Sequence, residues 1–420
     1  LNAINLTVGS GIFVLPAIVA MNLGAAGFIA YLLCGLLVIL IMLCYAEVGS
    51  KITVSGGSYA YVEKAFGPLP GFLINTLFWM GFSSLADAAV INALTDILAT
   101  WFPIFHINYV RAIFFAFIFG GLAWVNIRGV KQGARFAVAA TLLKLTPLVL
   151  LVIFGLFSVS ASNLAVKQLP GISAIGETSL ILFFAFMGIE TSLNISGEIK
   201  NPKKNIPKGI FFGIAIIIGL YLLVNFSYYQ IVGFEQMKGE KEIAYVVIDK
   251  VFGAKGAAIF SFFLFFGVLA YVNALLMSNP RVMYAMSDEG TIPKIFSKQN
   301  EKNGVLVVSL TVFTLTCLLI LFFAQTFDAI LNFTIFLDCF GMVASSATIF
   351  KLRKQTKHLD GTGIYKMKLF PLLPLIFMAT YCFVGVSIAI QTPNTAIIGT
   401  AVLAVFMAVY FITQRFKKPA

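Results

Sequence analysis

Asp87 and Lys144 each stand inside a long apolar stretch, where a charge is out of place. A carboxylate at mid-membrane depth costs at least about 2.5 kcal/mol on insertion scales, so it faces the interior of the protein and is a functional candidate by default. The alternative for Asp87 is a carboxyl group satisfied by a neighbouring hydroxyl, with Ser83 and Ser84 nearby in the sequence. An ammonium in mid-membrane pairs with a carboxylate or with backbone carbonyls, or else gives up its proton. Snorkelling is the other option for Lys144, but it lies roughly 13 Å beyond Arg135 along a helix, which makes the inner surface awkward to reach.

A second kind of chemistry is written in the backbone. The first apolar segment reads Asn5-Leu6-Thr7-Val8-Gly9-Ser10-Gly11-Ile12-Phe13, with two glycines at its centre. Each costs a helix about 1 kcal/mol relative to Ala. An unwound turn inside a bilayer is tolerated only where its N–H and C=O groups line a cavity or meet a ligand. Such a break frees N–H groups at a half-helix N-terminus, which favours an anion. The alternative is that Gly9 and Gly11 are small residues that let two helices pack closely. A later segment repeats the signal: Phe183-Phe184-Ala185-Phe186-Met187-Gly188-Ile189-Glu190-Thr191 again interrupts an apolar run with a glycine and polar residues. Two interrupted segments in corresponding positions of two halves point to a small-ligand site near the membrane midplane, between inverted repeats. Asp338, in a later segment, either faces an aqueous pathway or bonds a neighbouring helix.

The elements that must carry these residues follow from composition. The chain has 420 residues, of which 60% are hydrophobic and 11% charged, and its mean hydropathy is +0.97. Soluble domains carry about 25% charged residues. A helix needs about 20 apolar residues to cross the hydrocarbon core. Twelve candidate spans fit, over 1–23, 26–46, 69–100, 110–127, 134–158, 174–196, 207–232, 253–284, 305–323, 328–350, 369–389 and 394–414. An all-α membrane protein with a single transmembrane domain is therefore expected. Residues 1–160 would form one half, 170–355 the other, and 365–415 two added helices.

The net charge of +12 does not point to nucleic acid. With the N-terminus placed in the cytoplasm, most of the Lys and Arg residues fall in inner loops and the C-terminal tail, as in Arg128, Lys131 and Arg135 or Lys200, Lys203, Lys204 and Lys208. Few fall outside, Arg111 and Lys238 among them. This bias satisfies the positive-inside rule with both ends cytoplasmic, in a multi-pass protein of the plasma (inner) membrane. No cleavable signal pattern opens the chain. Residue 1 is Leu, so a preceding cytoplasmic piece is expected. The five cysteines all fall within spans without metal-ligand spacing, so neither a disulfide framework nor a metal is expected. The two histidines, His106 and His358, are not near a span centre, which argues against a membrane-embedded enzyme. No phosphate-binding loop signature is present, which argues against an ATP-driven pump, and no cofactor is expected.

Several stretches together resemble the amino acid–polyamine–organocation transporter superfamily, in the form of the bacterial amino acid permeases. They are Gly9-Ser10-Gly11-Ile12-Phe13, the loop Gly56-Gly57-Ser58-Tyr59-Ala60-Tyr61 with Ala65-Phe66-Gly67, Phe184 to Glu190, Glu198-Ile199-Lys200-Asn201-Pro202, and Arg281 to Pro293. The resemblance covers nearly the whole chain in order. It implies a LeuT-type fold of two inverted five-helix repeats, with helices 1 and 6 discontinuous. It implies that a substrate α-carboxylate sits on the first break, held by the Ser10 hydroxyl and the N–H groups around Gly9 and Gly11. The α-ammonium would meet carbonyls at Thr7 and at Phe184 and Met187, beside Gly188, and Phe184 would be the aromatic lid. Lys144 would occupy the place of a sodium ion in sodium-driven relatives, near Gly9, giving sodium-independent, proton-coupled transport by alternating access. Asp87 falls where some relatives place a residue touching the substrate side chain. There it would select a cationic substrate or carry a coupling proton. Glu190 would be a gating charge or a helix tether. An exchanger of amino acids or polyamines, and a non-transporting amino acid sensor, are the other readings. The bilayer, the substrate and protons are the expected partners.

Overall fold

The computed structural model describes residues 2–9, 11–53, 56–157, 170–186, 188–191, 193–194, 199–238, 243–323, 327–361 and 364–415, and for some helical residues, Phe184 among them, the backbone alone. Ser10, Met187 and Glu198 lie outside the described residues. Sixteen α-helices run in order: α1 Asn2–Thr7, α2 Gly11–Leu23, α3 Gly27–Lys51, α4 Ser58–Phe66, α5 Pro68–Thr76, α6 Ser84–Trp101, α7 Asn108–Ile127, α8 Val130–Phe157, α9 Ile172–Phe186, α10 Pro202–Ile231, α11 Phe234–Met237, α12 Ile243–Asp288, α13 Val307–Phe323, α14 Phe327–Gln355, α15 Leu372–Gln391 and α16 Pro393–Arg415. No strand occurs among the described residues.

By length and composition, seven helical stretches among the described residues can cross a membrane. α1 falls below that length because the first segment breaks after Thr7, with α2 from Leu15 counted in one stretch with α3, Leu15–Lys51, and the second broken segment falls below it because α9 stops at Phe186. The third segment reads as one span in the sequence, but it is divided by a π-helical stretch, Leu77–Ser83, between α5 and α6. Such π turns are rare and frequent at functional sites; this one ends just before Ser84 and Asp87. The 46 residues of α12 contain a bend at Gly253, whose φ is +69°, a conformation open to Gly at no steric cost.

The helices pack so that the site lies among them. α1 contacts α8, α10 and α12, while α2 and α3 both contact α9. α6 packs against α12, α13 and α14. The polarity gradient is that of a membrane protein. Asn5, Thr7, Asp87, Lys144, Glu190 and Asp338 are buried, whereas Phe117, Phe157, Phe383, Ile390 and Ile397 are exposed. An apolar outer band is stable against lipid, and the polar groups are confined to the interior where partners exist.

Candidate functional site

The break after α1 shows at Val8 and Gly9, which leave the helical ladder. Val8 N–H still donates to Ile4 O at 2.9 Å, but Gly9 N–H turns back to Thr7 O at 2.8 Å. The second break, after Phe186, turns on Gly188 with φ +99°. Its own N–H groups are capped locally: Gly188 N–H donates to Glu190 Oε1 at 3.1 Å and Oε2 at 3.2 Å, and Thr191 N–H donates to Gly188 O at 3.1 Å.

The two breaks meet. A Cβ on Gly188 would stand 2.5 Å from Leu6 O, and one on Gly11 would stand 3.0 Å from the Cα of Ala185. Glycine is required at Gly188 for backbone to approach backbone, and at Gly11 a side chain would press tightly on α9. The close-packing reading of Gly11 therefore has a physical basis in α9. Gly9 differs: its Cβ position has only ordinary contacts, with the Tyr271 ring at 3.7 Å and Val90 Cγ2 at 4.0 Å. Tyr221, from α10, ties the breaks together. Its hydroxyl lies 3.0 Å from Thr7 O and 2.5 Å from Ala185 O, so a single proton serves two carbonyls in turn.

Lys144 reaches the first break. Its ammonium donates to Asn5 O at 3.0 Å, Asn5 Oδ1 at 2.8 Å and Val8 O at 2.6 Å. An ammonium has three donors, and all three are used on oxygens of one break. Gly267 leaves room for the side chain, since a Cβ there would stand 2.9 Å from Lys144 Cγ. Asn5 in turn donates through Nδ2 to Ala270 O at 2.9 Å. Lys144 is 2% exposed, so its partners are internal and snorkelling does not occur.

The other candidates are placed as follows. Thr7 O accepts from Gly9 N–H and shares the Tyr221 proton with Ala185 O, and the Thr7 hydroxyl has no partner. Asp87 is fully buried, with Cys317 Sγ at 3.8 Å from Oδ2 and no partner on Oδ1. The hydroxyls nearby do not satisfy it: Ser84 donates to Trp79 O, and Ser83 has no partner. Phe184 lies on α9 in the turn before the second break. Asp338 is buried on α14, and its Oδ2 has no partner. Sequence reading missed Asn5, Tyr221, Gly267 and Tyr271 as parts of the site. Asn5 was the most accessible of these, being an amide one helical turn before a glycine break; Tyr221 and Tyr271 carry no local signal, since tyrosines within apolar spans are ordinary.

Two broken helices whose breaks touch inside a polytopic apolar body, the first of them seated on a buried cation, fit a membrane transporter rather than an enzyme. A family model described as amino acid permease matches residues 2–413, and the chain belongs to that family. Among similar proteins, the methylthioribose transporter of Bacillus subtilis (strain 168) is 29% identical over 70% of this chain and 67% of its own length. The human large neutral amino acids transporter small subunit 2 is 27% identical over 96% of this chain and 77% of its own. The serine/threonine exchanger SteT of Bacillus subtilis (strain 168) is 26% identical over 95% of this chain and 92% of its own.

Proposed function

We propose that this protein is a secondary active, sodium-independent transporter of amino acids that works by alternating access around the junction of the two breaks. The observation that carries the reading is the Lys144 ammonium, seated on three oxygens of the first break. A fixed cation there supplies the charge that a bound sodium ion would otherwise supply to the same oxygens. The substrate α-carboxylate docks on the N-terminal end of α2, with the Ser10 hydroxyl and the N–H groups around Gly11, where the helix dipole favours an anion. The α-ammonium meets carbonyls of the two breaks, at Thr7 and in the stretch Phe184 to Gly188. Because Thr7 O is already engaged by Tyr221 and Gly9, seating the ammonium there displaces a hydrogen bond of Tyr221. Phe184 closes over the substrate, Asp87 and Tyr271 stand at its side-chain end, and Glu190 holds the second break in shape through Gly188. The full architecture is twelve spans, with 1–160 and 170–355 as inverted five-helix repeats, 365–415 appended, and both termini cytoplasmic at the plasma (inner) membrane.

Purified protein in sodium-free proteoliposomes tests this. Amino acid uptake driven by an imposed inward proton gradient is expected, and Lys144→Ala should abolish it. Sodium-stimulated uptake by the wild type would overturn the role given to Lys144, and ligand binding without counterflow would favour a sensor. Exchange is the second reading, favoured by SteT, an exchanger aligned over nearly its whole length. It predicts uptake that needs internal amino acid and ignores the proton gradient.

A further inference from the structure

We infer that the connection between α14 and α15, together with the start of α10, holds the headgroup of an anionic phospholipid whose acyl chain lies along α3. This is a surface site, separate from the junction of the two breaks.

Leu36, Leu40, Leu43 and Glu47 recur on α3 at spacings of four, three and four residues, so they share one face. The face is open at one end and covered at the other. Leu36 is 58% exposed, Leu40 and Leu43 are half-buried, and Glu47 is buried. The cover is the connection between α14 and α15: Met367 N–H donates to Glu47 Oε2 at 2.7 Å, and Lys51, closing α3, reaches Asp360 at 2.5 Å. α10 packs beside the open end, where a Cβ on Gly35 would stand 3.1 Å from Ile218 Cδ1. From Leu36 to Glu47 the helix rises roughly 16 Å, about half of the ~30 Å hydrocarbon thickness and so the depth of one leaflet. An acyl chain whose headgroup sits on the connection therefore has a strip of leucines of its own length to lie on.

The covered end is cationic. Glu47 and Asp360 meet three cations, Lys51, Arg353 and Lys366, so one positive charge is left over. The Lys366 side chain remains 59% exposed. Lys368 and, on α10, Lys208 are exposed, and neither is in an ion pair among the described residues. The ring contact of Tyr365 with Phe211, centroids 5.1 Å apart, brings α10 to the connection, and Lys208 lies one turn before Phe211. Leu369 and Leu372, next along the chain from Lys368, are exposed as well. Ammonium groups at the rim and leucines behind them match a phosphate headgroup and its chain. A soluble anion would leave the leucines unused, and a zwitterionic lipid would leave the lysines without a net counter-charge.

The test titrates purified protein in detergent with phosphatidylglycerol, phosphatidylcholine and glycerol 3-phosphate, reading the melting temperature and, by native mass spectrometry, the lipid retained. Phosphatidylglycerol should bind saturably and about ten-fold more tightly than phosphatidylcholine, the discrimination expected of a few lysines near an anionic headgroup. Glycerol 3-phosphate should have no effect. Lys208→Gln/Lys368→Gln breaks no ion pair among the described residues, so the melting temperature without lipid should hold while phosphatidylglycerol falls to the level of phosphatidylcholine. Lys294→Gln/Lys298→Gln, an equal loss of charge in the connection between α12 and α13, should keep the preference. Equal binding of the two phospholipids overturns the inference. So does an equal loss of preference in both double variants, which would mark a general surface field, or stabilisation by glycerol 3-phosphate equal to that by the lipid, which would mark a soluble-anion site. If Lys208→Gln/Lys368→Gln does not fold, Lys368→Glu alone must lose the preference, and its retention there overturns the inference too.

Discussion

Lys144 shows how a single buried side chain can engage three oxygens of a helix break at once. Its three hydrogen bonds collapse onto two residues of the first break, Asn5 and Val8, so removing the ammonium leaves Asn5 O, Asn5 Oδ1 and Val8 O without their donor. Each unmet buried acceptor costs about 1–3 kcal/mol. Lys144→Met is accordingly expected to lower the melting temperature as well as to stop transport, and fluorescence-detected thermal unfolding in detergent checks the first effect. A wild-type melting temperature in Lys144→Met would mean that the three bonds do not organise the break. Gly267→Ala separates positioning from substrate contact. Its Cβ would press on Lys144 Cγ at 2.9 Å, so uptake should fall several-fold although position 267 touches no substrate. Gly11→Leu is a poor probe of carboxylate binding for the same kind of reason, since the new side chain would meet Ala185 before any ligand. At this scale the sequence was informative about charge and weak about partners. A lysine or aspartate in an apolar run announces itself, but the oxygens it meets belong to residues far away in the chain, such as Asn5 for Lys144, and no spacing rule connects them.

Among the elements, the connection from α14 to α15 behaves as a strap across one end of α3. Glu47, buried near the end of α3, accepts from Met367 N–H at 2.7 Å and pairs with Arg353 Nε at 3.1 Å. Arg353 also donates to Met367 O at 3.2 Å and stacks on Phe370 at 4.3 Å. Tyr365 lays its ring edge-on against Phe211 of α10, with centroids 5.1 Å apart. Lys51 reaches Asp360 at 2.5 Å, and Asp360 pairs with Lys366 at 3.3 Å. Truncating one partner of a buried pair costs about 3–5 kcal/mol, and the 17% exposure of the Arg353 side chain puts this pair toward the lower end. Glu47→Gln should therefore destabilise the protein and slow transport, and a double-mutant cycle with Arg353→Gln should show strong coupling; additive losses would mean that the two act apart. Asp360 contributes nothing to pH sensing. The Lys51 ammonium paired with it holds its carboxyl below the usual carboxylate value. A group shifted down contributes stability above its unfolded pKa and loses it only as pH falls through the lower folded one. The pairing thus persists from pH 5 to 8, and Asp360→Asn should leave the pH profile of uptake unchanged in shape. Helical segments were legible from hydropathy, and the two breaks from their glycines. The π turn at Leu77–Ser83 was not, because no residue type specifies it. Nor was the strap, because its contacts join Glu47 to a loop more than 300 residues later.

The whole molecule is organised by two gradients that the sequence also carries. One runs from a polar interior to an apolar outer face: α16, with exposed Ile397, Val405 and Phe411, is among the least buried of the helices. The other runs across the membrane. Basic residues gather near one set of helix ends: Lys51 closes α3, Arg128 follows α7, Lys203 and Lys204 open α10, and Arg353 and Lys354 close α14. Following the chain, these ends alternate with those beside Arg111 and Lys238, as consecutive antiparallel crossings require. Cationic loops resist translocation, so the basic ends should face the cytoplasm. The prediction is a labelling pattern. In a variant whose five cysteines are replaced, a single cysteine at Lys238, which is 40% exposed, should react with a membrane-impermeant maleimide in intact cells. A single cysteine at Lys298, in the connection between α12 and α13, should react only after the membrane is permeabilised. Reaction of both in intact cells would refute the orientation, and the reverse pattern would invert it, placing the strap over α3 on the outer face and assigning Glu47 and Arg353 to the opposite end of the transport path.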